Sequence, residues 1–299
     1  MQTTSNPRYR GRFAPSPTGP LHLGSLIAAL ASYLDARHNG GSWLVRMEDL
    51  DPPREVPGSA RLILNSLQNH GLQWDGEVLH QSRRGAAYAA ALAKLAAGGH
   101  LFDCDCTRAQ IGPEGSCRGD CRERQARLRA PTATRVAVPP ECHIRFRDRA
   151  LGWSDTALGR DLPDFVVKRK DGLDAYQLAV VVDDAFQGIT DIVRGSDLLD
   201  STARQIFLQQ LLAYPTPRYR HIPLITDAAG DKFSKQTHAP ALDDCSACAN
   251  LRAALAFLRQ PQPPTDLAST GQILAFATRH WAPGNTPAVL SMPATSKPD

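Results

Sequence analysis

Between Arg12 and Ser25 the chain reads RFAPSPTGPLHLGS, a cation, two tight turns and a histidine set directly ahead of an apolar run. Pro15, Pro17 and Pro20 hold the backbone extended, while Gly19 and Gly24 permit a positive φ or the close approach of a ligand. The next residues, LIAALASYLDARHNGG, have helical periodicity and a stop at Gly40 and Gly41. A helix N-terminus therefore points at whatever the loop holds, and its unpaired N–H groups and positive dipole end suit phosphate. His22 can donate to phosphate oxygens as negative charge moves between them, and the missing Cβ of Gly24 leaves room for an adenine or a ribose. Either half alone is an ordinary loop or an ordinary helix start; together they read as a nucleotide pocket.

Other groups carry chemistry further along. Lys232 and Lys235 in DKFSKQ follow a glycine, and two lysines three apart can fold over a triphosphate as pyrophosphate leaves, although a loop KxxK is usually just solvated. FDCDCTRAQIGPEGSCRGDC places Cys104, Cys106, Cys117 and Cys121 in eighteen residues, as two close pairs across a ten-residue loop with Gly and Pro turns. That is what a tetrahedral thiolate zinc site asks of a short chain, and a site closed by four thiolates is structural, with one Zn2+ per chain. Cys142 and His143 are the weaker alternative ligands, and Cys245 and Cys248, a lone CxxC, read as free thiols. Glu48, Asp49 and Asp51 crowd the end of the run SWLVRM, where one could hold a substrate ammonium or all could simply cap the next helix. Arg194, before Gly195, Ser196 and Asp197, can reach a crevice from a strand end and pair a carboxylate bidentately, or serve only a structural salt bridge.

The elements that must position these groups alternate. YRGRFAP, the first helix and SWLVRM give strand, helix, strand, hence a parallel sheet in an α/β fold. ARLILNSLQNHGL, starting near Ser59, and AAYAAALAKLAAGG read as scaffold helices. The sheet resumes in DFVVKRKDGLDAYQLAVVVDDAFQGITDIVRGSD, expected as two apolar strands about a turn at Asp171-Gly172; Tyr176, Gln177, Asp183 and Asp184 at the borders of the second would hold something polar. After Gln236 come two modest helices, NLRAALAFLRQ and GQILAFATRHW, and a tail, GNTPAVLSMPATSKPD, expected to be disordered. The organisation is thus a first catalytic half over 1–100, a zinc-binding, Arg-rich insertion over 101–161, a second half with the KFSKQ loop over 162–240, and a short helical extension over 241–299.

Several motifs together resemble one family. RFAPSPTGPLHLGS is similar to the first motif of glutamyl-tRNA synthetases, and HLGS to the HIGH-type signature of class I aminoacyl-tRNA synthetases. RMEDLDPPR and AYQLAVVVDDAFQGITDIVRGSDLLDSTARQ resemble that family too, and KFSKQ resembles its KMSKS signature, with Phe233 and Gln236 departing from the common letters. From Arg12 to about Trp281, with the cysteine insert and the early stop, the chain resembles the truncated glutamyl-queuosine tRNA(Asp) synthetase family. The resemblance implies a Rossmann-like class I catalytic core with a zinc-containing insertion and no anticodon-binding domain. It makes Arg12, Phe13, Ala14, Pro15, Ser16, Glu48, Tyr176 and Arg194 glutamate contacts, with Glu48 on the α-amino group. His22, Gly24 and Lys235 become ATP contacts, and His22, Lys232 and Lys235 stabilise charge in catalysis. Cys117 stands where the family can carry a tyrosine ligand, which would leave an all-thiolate site. The implied partners are ATP with Mg2+, L-glutamate and queuosine-containing tRNA(Asp), and the implied assembly is a monomer. A compact glutamyl-tRNA synthetase charging an acceptor end, and a non-catalytic nucleotide- or RNA-binding relative, stay open beside it.

Composition sets outer limits. With 299 residues, 42% hydrophobic and 21% charged, the chain has an ordinary globular make-up. No apolar run reaches a membrane span and the first twenty residues lack a secretory core, so the expectation is cytoplasmic with no membrane partner. The net charge of +4 permits a polyanionic partner without requiring one. Charge concentrates between Arg118 and Arg149, nine arginines against four acids, which suits either a solvated arginine-rich helix or a phosphate-tracking RNA surface.

Overall fold

The computed structural model describes residues 8–112, 114–226 and 240–293. β1 (Arg10–Phe13) leads through the proline loop into α1 (Leu23–His38), and β2 (Ser42–Met47) returns parallel to β1, pairing Arg10 with Ser42 and Phe13 with Val45. α2 (Ser59–Asn69) follows, and the short β3 (Leu79–His80) extends the sheet in parallel. On the other side of β1 lies a second parallel pair, β9 (Asp191–Gly195) and β10 (Arg218–Ile222), tied to it where the Thr190 N–H donates to the Arg10 carbonyl at 3.0 Å. The layer thus runs β3, β2, β1, β9, β10. The chain turns one way from β1 to β2, and β9 and β10 continue the layer on the other side, so a crevice opens beyond the C-terminal ends of β1 and β9.

Strand alternation divides the interior in two. Val193 of β9 joins a core made by β1, α1, β2, α2 and the late helices α7 (Ala247–Phe257) and α8 (Thr270–Arg279). Its neighbour Ile192 joins a second core with α3 (Gly85–Ala97), α5 (Tyr176–Phe186) and α6 (Leu199–Leu212). Packed between sheet and helices, α1 buries Leu26, Ile27, Leu30 and Leu34 along with the charged Asp35. Asp35 accepts from the Tyr9 hydroxyl at 2.7 Å, Trp281 Nε1 at 3.0 Å and Arg149 Nη1 at 2.9 Å, so one buried anion joins both ends of the described chain.

The insertion has its own antiparallel sheet. β4 (Leu101–Cys104) pairs with β5 (Ala133–Ala137), and β5 with β8 (Asp164–Lys168); the cysteines lie on the β4–β5 excursion. The hairpin of β6 (Ile144–Asp148) and β7 (Gly152–Thr156), followed by the short α4 (Leu158–Asp161), stands between β5 and β8. The arginine window accordingly forms no single helix. Arg135 is buried against Asp164, Arg149 is half-buried against the buried Asp35 and Asp191, and the rest lie on loops and the hairpin.

Two expectations are corrected. AYQLAVVVDDAF forms the helix α5 rather than a strand, because it packs among β8, α3 and α6 and buries Leu178 to Asp184 continuously. A helix covered on every side loses the polar stripe that would reveal its period. In the tail expected to be disordered, β12 (Ser291–Pro293) pairs parallel with β11 (Leu224–Thr226), and the Leu224 N–H donates to the Leu290 carbonyl at 2.9 Å.

Candidate active site and metal centre

A cavity of about 580 Å3 occupies the crevice, lined by the proline loop, the start of α1, the ends of β1, β9 and β10, and the first residue of α5. Arg12, Phe13, Ala14, Pro15, Ser16, His22, Gly24, Glu48, Tyr176 and Arg194 all line it. Lys232 and Lys235 lie outside the described residues. The local geometry follows from the motif. Thr18 turns back on Ser16 through an N–H to carbonyl bond of 2.9 Å, Gly19 takes the φ of 135° that the turn requires, and the Glu48 N–H donates to the Pro15 carbonyl at 2.9 Å. His22 caps α1, its Nδ1 accepting from the Ser25 N–H at 3.2 Å. A Cβ on Gly24 would sit 3.1 Å from both the His22 ring and Ile225, so this glycine borders the cavity where two side chains already narrow it.

The charged wall is a buried network. Arg12 donates from Nε to Asp184 Oδ1 at 3.0 Å and from Nη2 to Oδ2 at 3.4 Å, leaving Nη1 without a partner among the described residues. Arg46, fully buried in β2, donates from Nη1 to the same Asp184 Oδ1 at 2.8 Å and to Gln187 Oε1 at 2.9 Å, and from Nη2 to Glu48 at 3.3 Å. Burial works against an ionised Asp184, yet Arg12 and Arg46 hold its pKa below the ordinary value. Burial prevails for Glu48, whose pKa rises despite Arg46 and Arg12, so an incoming ammonium would add to the cationic support this buried carboxylate has. Asp49 instead accepts from the Ser82 N–H at 2.9 Å, and Asp51 pairs with Arg54 at 2.5 Å and Arg169 at 3.2 Å. Of the three acids, Glu48 alone faces the cavity.

Arg194 is held from behind. Nε donates to His221 Nε2 at 3.1 Å, Nη1 to Gln205 at 2.8 Å, and Nη2 to Thr202 Oγ1 at 2.7 Å and the Leu198 carbonyl at 3.2 Å, with the guanidinium 5.3 Å from the Tyr219 ring centroid. Among the described residues one Nη1 hydrogen remains, so Arg194 offers a single directed donor to the cavity rather than the two-pronged grip its position suggested. His221 is in turn bonded through Nδ1 to Asp148 Oδ2 at 2.7 Å. Tyr176 sits beside these groups, its phenol pKa raised by burial against the pull of Arg194. Arg46, His221 and Asp148 escaped the sequence reading; an arginine inside the apolar run SWLVRM was the one visible sign.

The four cysteines converge as their spacing suggested. Sγ of Cys104, Cys106, Cys117 and Cys121 all lie within 4.8 Å of one another, with Cys106 3.6 Å from Cys117 and 3.5 Å from Cys121. These separations are too long for disulfides and close to the ~3.8 Å between thiolates set tetrahedrally ~2.3 Å from zinc. Burial raises the thiol pKa of Cys104 and pushes Cys121 up to about 11, whereas the Gly119 and Cys121 N–H groups outweigh burial at Cys117 and lower it. Arg124 Nη2 lies 3.3 Å from Cys121 Sγ, and Lys170 Nζ donates to the Asp105 and Cys106 carbonyls at 2.8 and 2.7 Å, so cations surround what would be an anionic tetrathiolate. The donor set fits zinc. Cys142 packs in the second core and His143 pairs with Asp155 at 3.6 Å, so neither joins the cluster.

A parallel α/β sheet with this cavity at the turning point of its strand order is the catalytic architecture of a class I tRNA synthetase. Residues 8–255 match the family described as tRNA synthetases class I (E and Q), catalytic domain. A glutamyl-Q tRNA(Asp) synthetase from Thiobacillus denitrificans is 54% identical, the alignment covering 96% of this chain and 97% of that one. Those from Pseudomonas fluorescens (50%, 98% of each chain) and Neisseria meningitidis (51%, 93% of this chain and 97% of that one) are similar to the same extent. A glutamate tRNA ligase from Elizabethkingia meningosepticum, crystallised with its amino acid, superposes with a TM-score of 0.80 over 97% of this chain and 68% of that one; at 24% identity this speaks for the fold. The chain belongs to the glutamyl-Q tRNA(Asp) synthetases of class I and is a ligase-type enzyme.

Proposed function

We propose that the chain activates L-glutamate with ATP and transfers it to the queuosine base at the wobble position of tRNA(Asp). The observation that carries this reading is the meeting, in one cavity, of Arg12, Glu48, Tyr176 and Arg194 with the His22-capped N-terminus of α1. The relatives' names extend it to the acceptor RNA. Glu48 takes the substrate ammonium, with Arg12 and Ser16 beside it, and the last Nη1 hydrogen of Arg194, with Tyr176, takes the side-chain carboxylate. ATP, entering with Mg2+, lies along His22, Gly24 and the start of α1, with Lys232 and Lys235 as its further cations.

The glutamate α-carboxylate then attacks the α-phosphorus in line, the bond to the pyrophosphate oxygen breaks, and pyrophosphate leaves from the mixed anhydride. A queuosine ring hydroxyl attacks the anhydride carbonyl, forming the ester and releasing AMP. Positioning and charge neutralisation suffice for both steps, so no nucleophilic side chain is invoked. Zinc, held by Cys104, Cys106, Cys117 and Cys121, supplies structural cross-linking of the insertion and no chemistry. We place the enzyme in the cytoplasm as a monomer, in keeping with its reduced thiols; no helix among the described residues is long and apolar enough to cross a membrane.

The test is transfer of labelled glutamate, with ATP and Mg2+, to tRNA(Asp) with and without queuosine and to tRNA(Glu). Label confined to queuosine-containing tRNA(Asp) is expected. Label on tRNA(Glu) would make the chain a compact glutamyl-tRNA synthetase.

A further inference from the structure

The β6–β7 hairpin has two unlike faces. Alternation along β6 turns Ile144 and Asp148 into the protein, with Phe146 half-buried between them, and leaves Arg145 and Arg147 exposed. Register sets Arg147 opposite Trp153 and Arg145 opposite Asp155, so these four share the outer face. Trp153 is 64% exposed, and the Arg145 guanidinium lies 4.5 Å from its ring centroid. Neither Arg145 nor Arg147 makes a hydrogen bond or ion pair among the described residues, and the one acid on this face, Asp155, is engaged by His143 at 3.6 Å. Among the described residues, the other exposed large apolar side chains, Val56, Leu62, Phe186, Val289 and Leu290, stand on other segments.

We propose that this face docks RNA, one unpaired base stacking on Trp153 while Arg145 and Arg147 hold the flanking phosphates. A protein partner would want a contiguous apolar patch, which an isolated indole with Arg145 over its ring and Arg147 opposite it in register does not provide. A base needs one flat ring and nearby cations, and arginine can both stack and grip phosphate. The hairpin also joins the glutamate pocket. Its inner face presents Phe146 to Tyr219, ring centroids 5.9 Å apart, and Asp148 to His221, which carries Arg194. RNA held outside would therefore rest on the element that backs the pocket wall. The proposal rests on the reading of RNA as the glutamate acceptor.

Fluorescence anisotropy of labelled queuosine-containing tRNA(Asp) at fixed salt tests it, with ATP–pyrophosphate exchange measured alongside. Trp153→Ala is expected to bind roughly tenfold more weakly and Trp153→Phe to recover most of that loss. Arg145→Gln with Arg147→Gln should weaken binding and flatten its salt dependence by about two phosphate contacts. Exchange should be unchanged in all of them. Binding within about twofold of wild type in every variant would overturn the surface while leaving the function standing. Wild-type chain that binds neither tRNA(Asp) nor tRNA(Glu) would overturn the function and the surface together. Sedimentation as a dimer that Trp153→Ala dissolves would assign the face to self-association instead.

Discussion

The crevice and the cysteine knuckle hold charge in opposite ways. The knuckle is local: four thiols from eighteen residues and, among the described residues, a buried cluster of Phe102, Cys104, Cys106 and Cys121 with no other core of its own. The crevice is assembled from afar, Arg12 meeting Asp184 across 172 positions and His221 meeting Asp148 across 73, between two large apolar cores. A segment with little to bury needs a metal to stay folded, whereas a site between two cores can let buried ions support each other.

Metal removal is the harshest test of that contrast. Structural zinc is worth about 10–16 kcal/mol in isolated fingers, so Cys106→Ser or exhaustive chelation should empty the site and open residues 104–121 to protease. Zinc analysis and limited proteolysis read this directly, while ATP–pyrophosphate exchange, assayed after the chelator is removed and Mg2+ restored, should persist. Collapse of exchange on chelation would show that the knuckle supports the crevice after all.

Next in size is Asp184→Ala. It strips the common anion from Arg12 and Arg46, leaving buried Arg12 without an anion and Arg46 with Glu48 alone, and should cost about 3–5 kcal/mol in urea unfolding. Asp184→Asn, which keeps hydrogen-bond acceptance, should cost less. Equal and small losses in both would mean that the network is not interdependent.

Arg194→Ala follows, with glutamate binding expected to weaken by about 2–5 kcal/mol, read as a rise in KM for glutamate in the exchange reaction. Arg194→Lys keeps the charge but cannot reach His221, Gln205 and Thr202 together, so it should recover only part. Unchanged glutamate affinity would remove Arg194 from the amino-acid site.

The same contrast governs what could be read from the letters. Local features were legible: the turn at Gly19, the start of α1 after His22, and the cysteine pairs each declare themselves within a few residues. α5 was misread because contacts on all sides replaced its polar stripe with an apolar run. Arg194 was read from its place at a strand end and Tyr176 was ranked only by family likeness, and their meeting in one cavity needed the fold. The supports are anchored far away in sequence: Arg46, beside Glu48, meets Asp184 across 138 positions, and His221, behind Arg194, meets Asp148 across 73, which no window of sequence contains.

The smallest effect discriminates most finely. Arg194 Nε can only donate, so His221 Nε2 must accept and the ring proton must sit on Nδ1, toward Asp148. Protonating His221 sets two N–H groups against each other and loosens Arg194. Burial lowers the His221 pKa; Asp148 of β6 and Asp197 beyond β9 oppose the shift, Arg194 of β9 adds to it, and Tyr219 stacks alongside on β10. Below the ordinary histidine value of about 6.5, the unfolded chain therefore binds a proton that the folded chain refuses. Stability from this group is full above that pH and declines as pH falls toward the folded pKa. Glu48 has the opposite sign: its pKa is raised by burial, so the folded state takes up its proton first and gains stability as pH falls. Both protonations should raise the glutamate KM, one by loosening Arg194 and the other by discharging the ammonium's partner. His221→Gln, neutral at every pH and able to both donate and accept, should cost about 1 kcal/mol at neutral pH and abolish the part of the decline in unfolding free energy that sets in just below about pH 6.5, leaving the decline at lower pH from depressed carboxylates such as Asp184 and Asp35. The rise in glutamate KM due to Glu48 should survive in that variant. A decline that still sets in just below about pH 6.5 in His221→Gln would transfer it to another group and free Arg194 from its support.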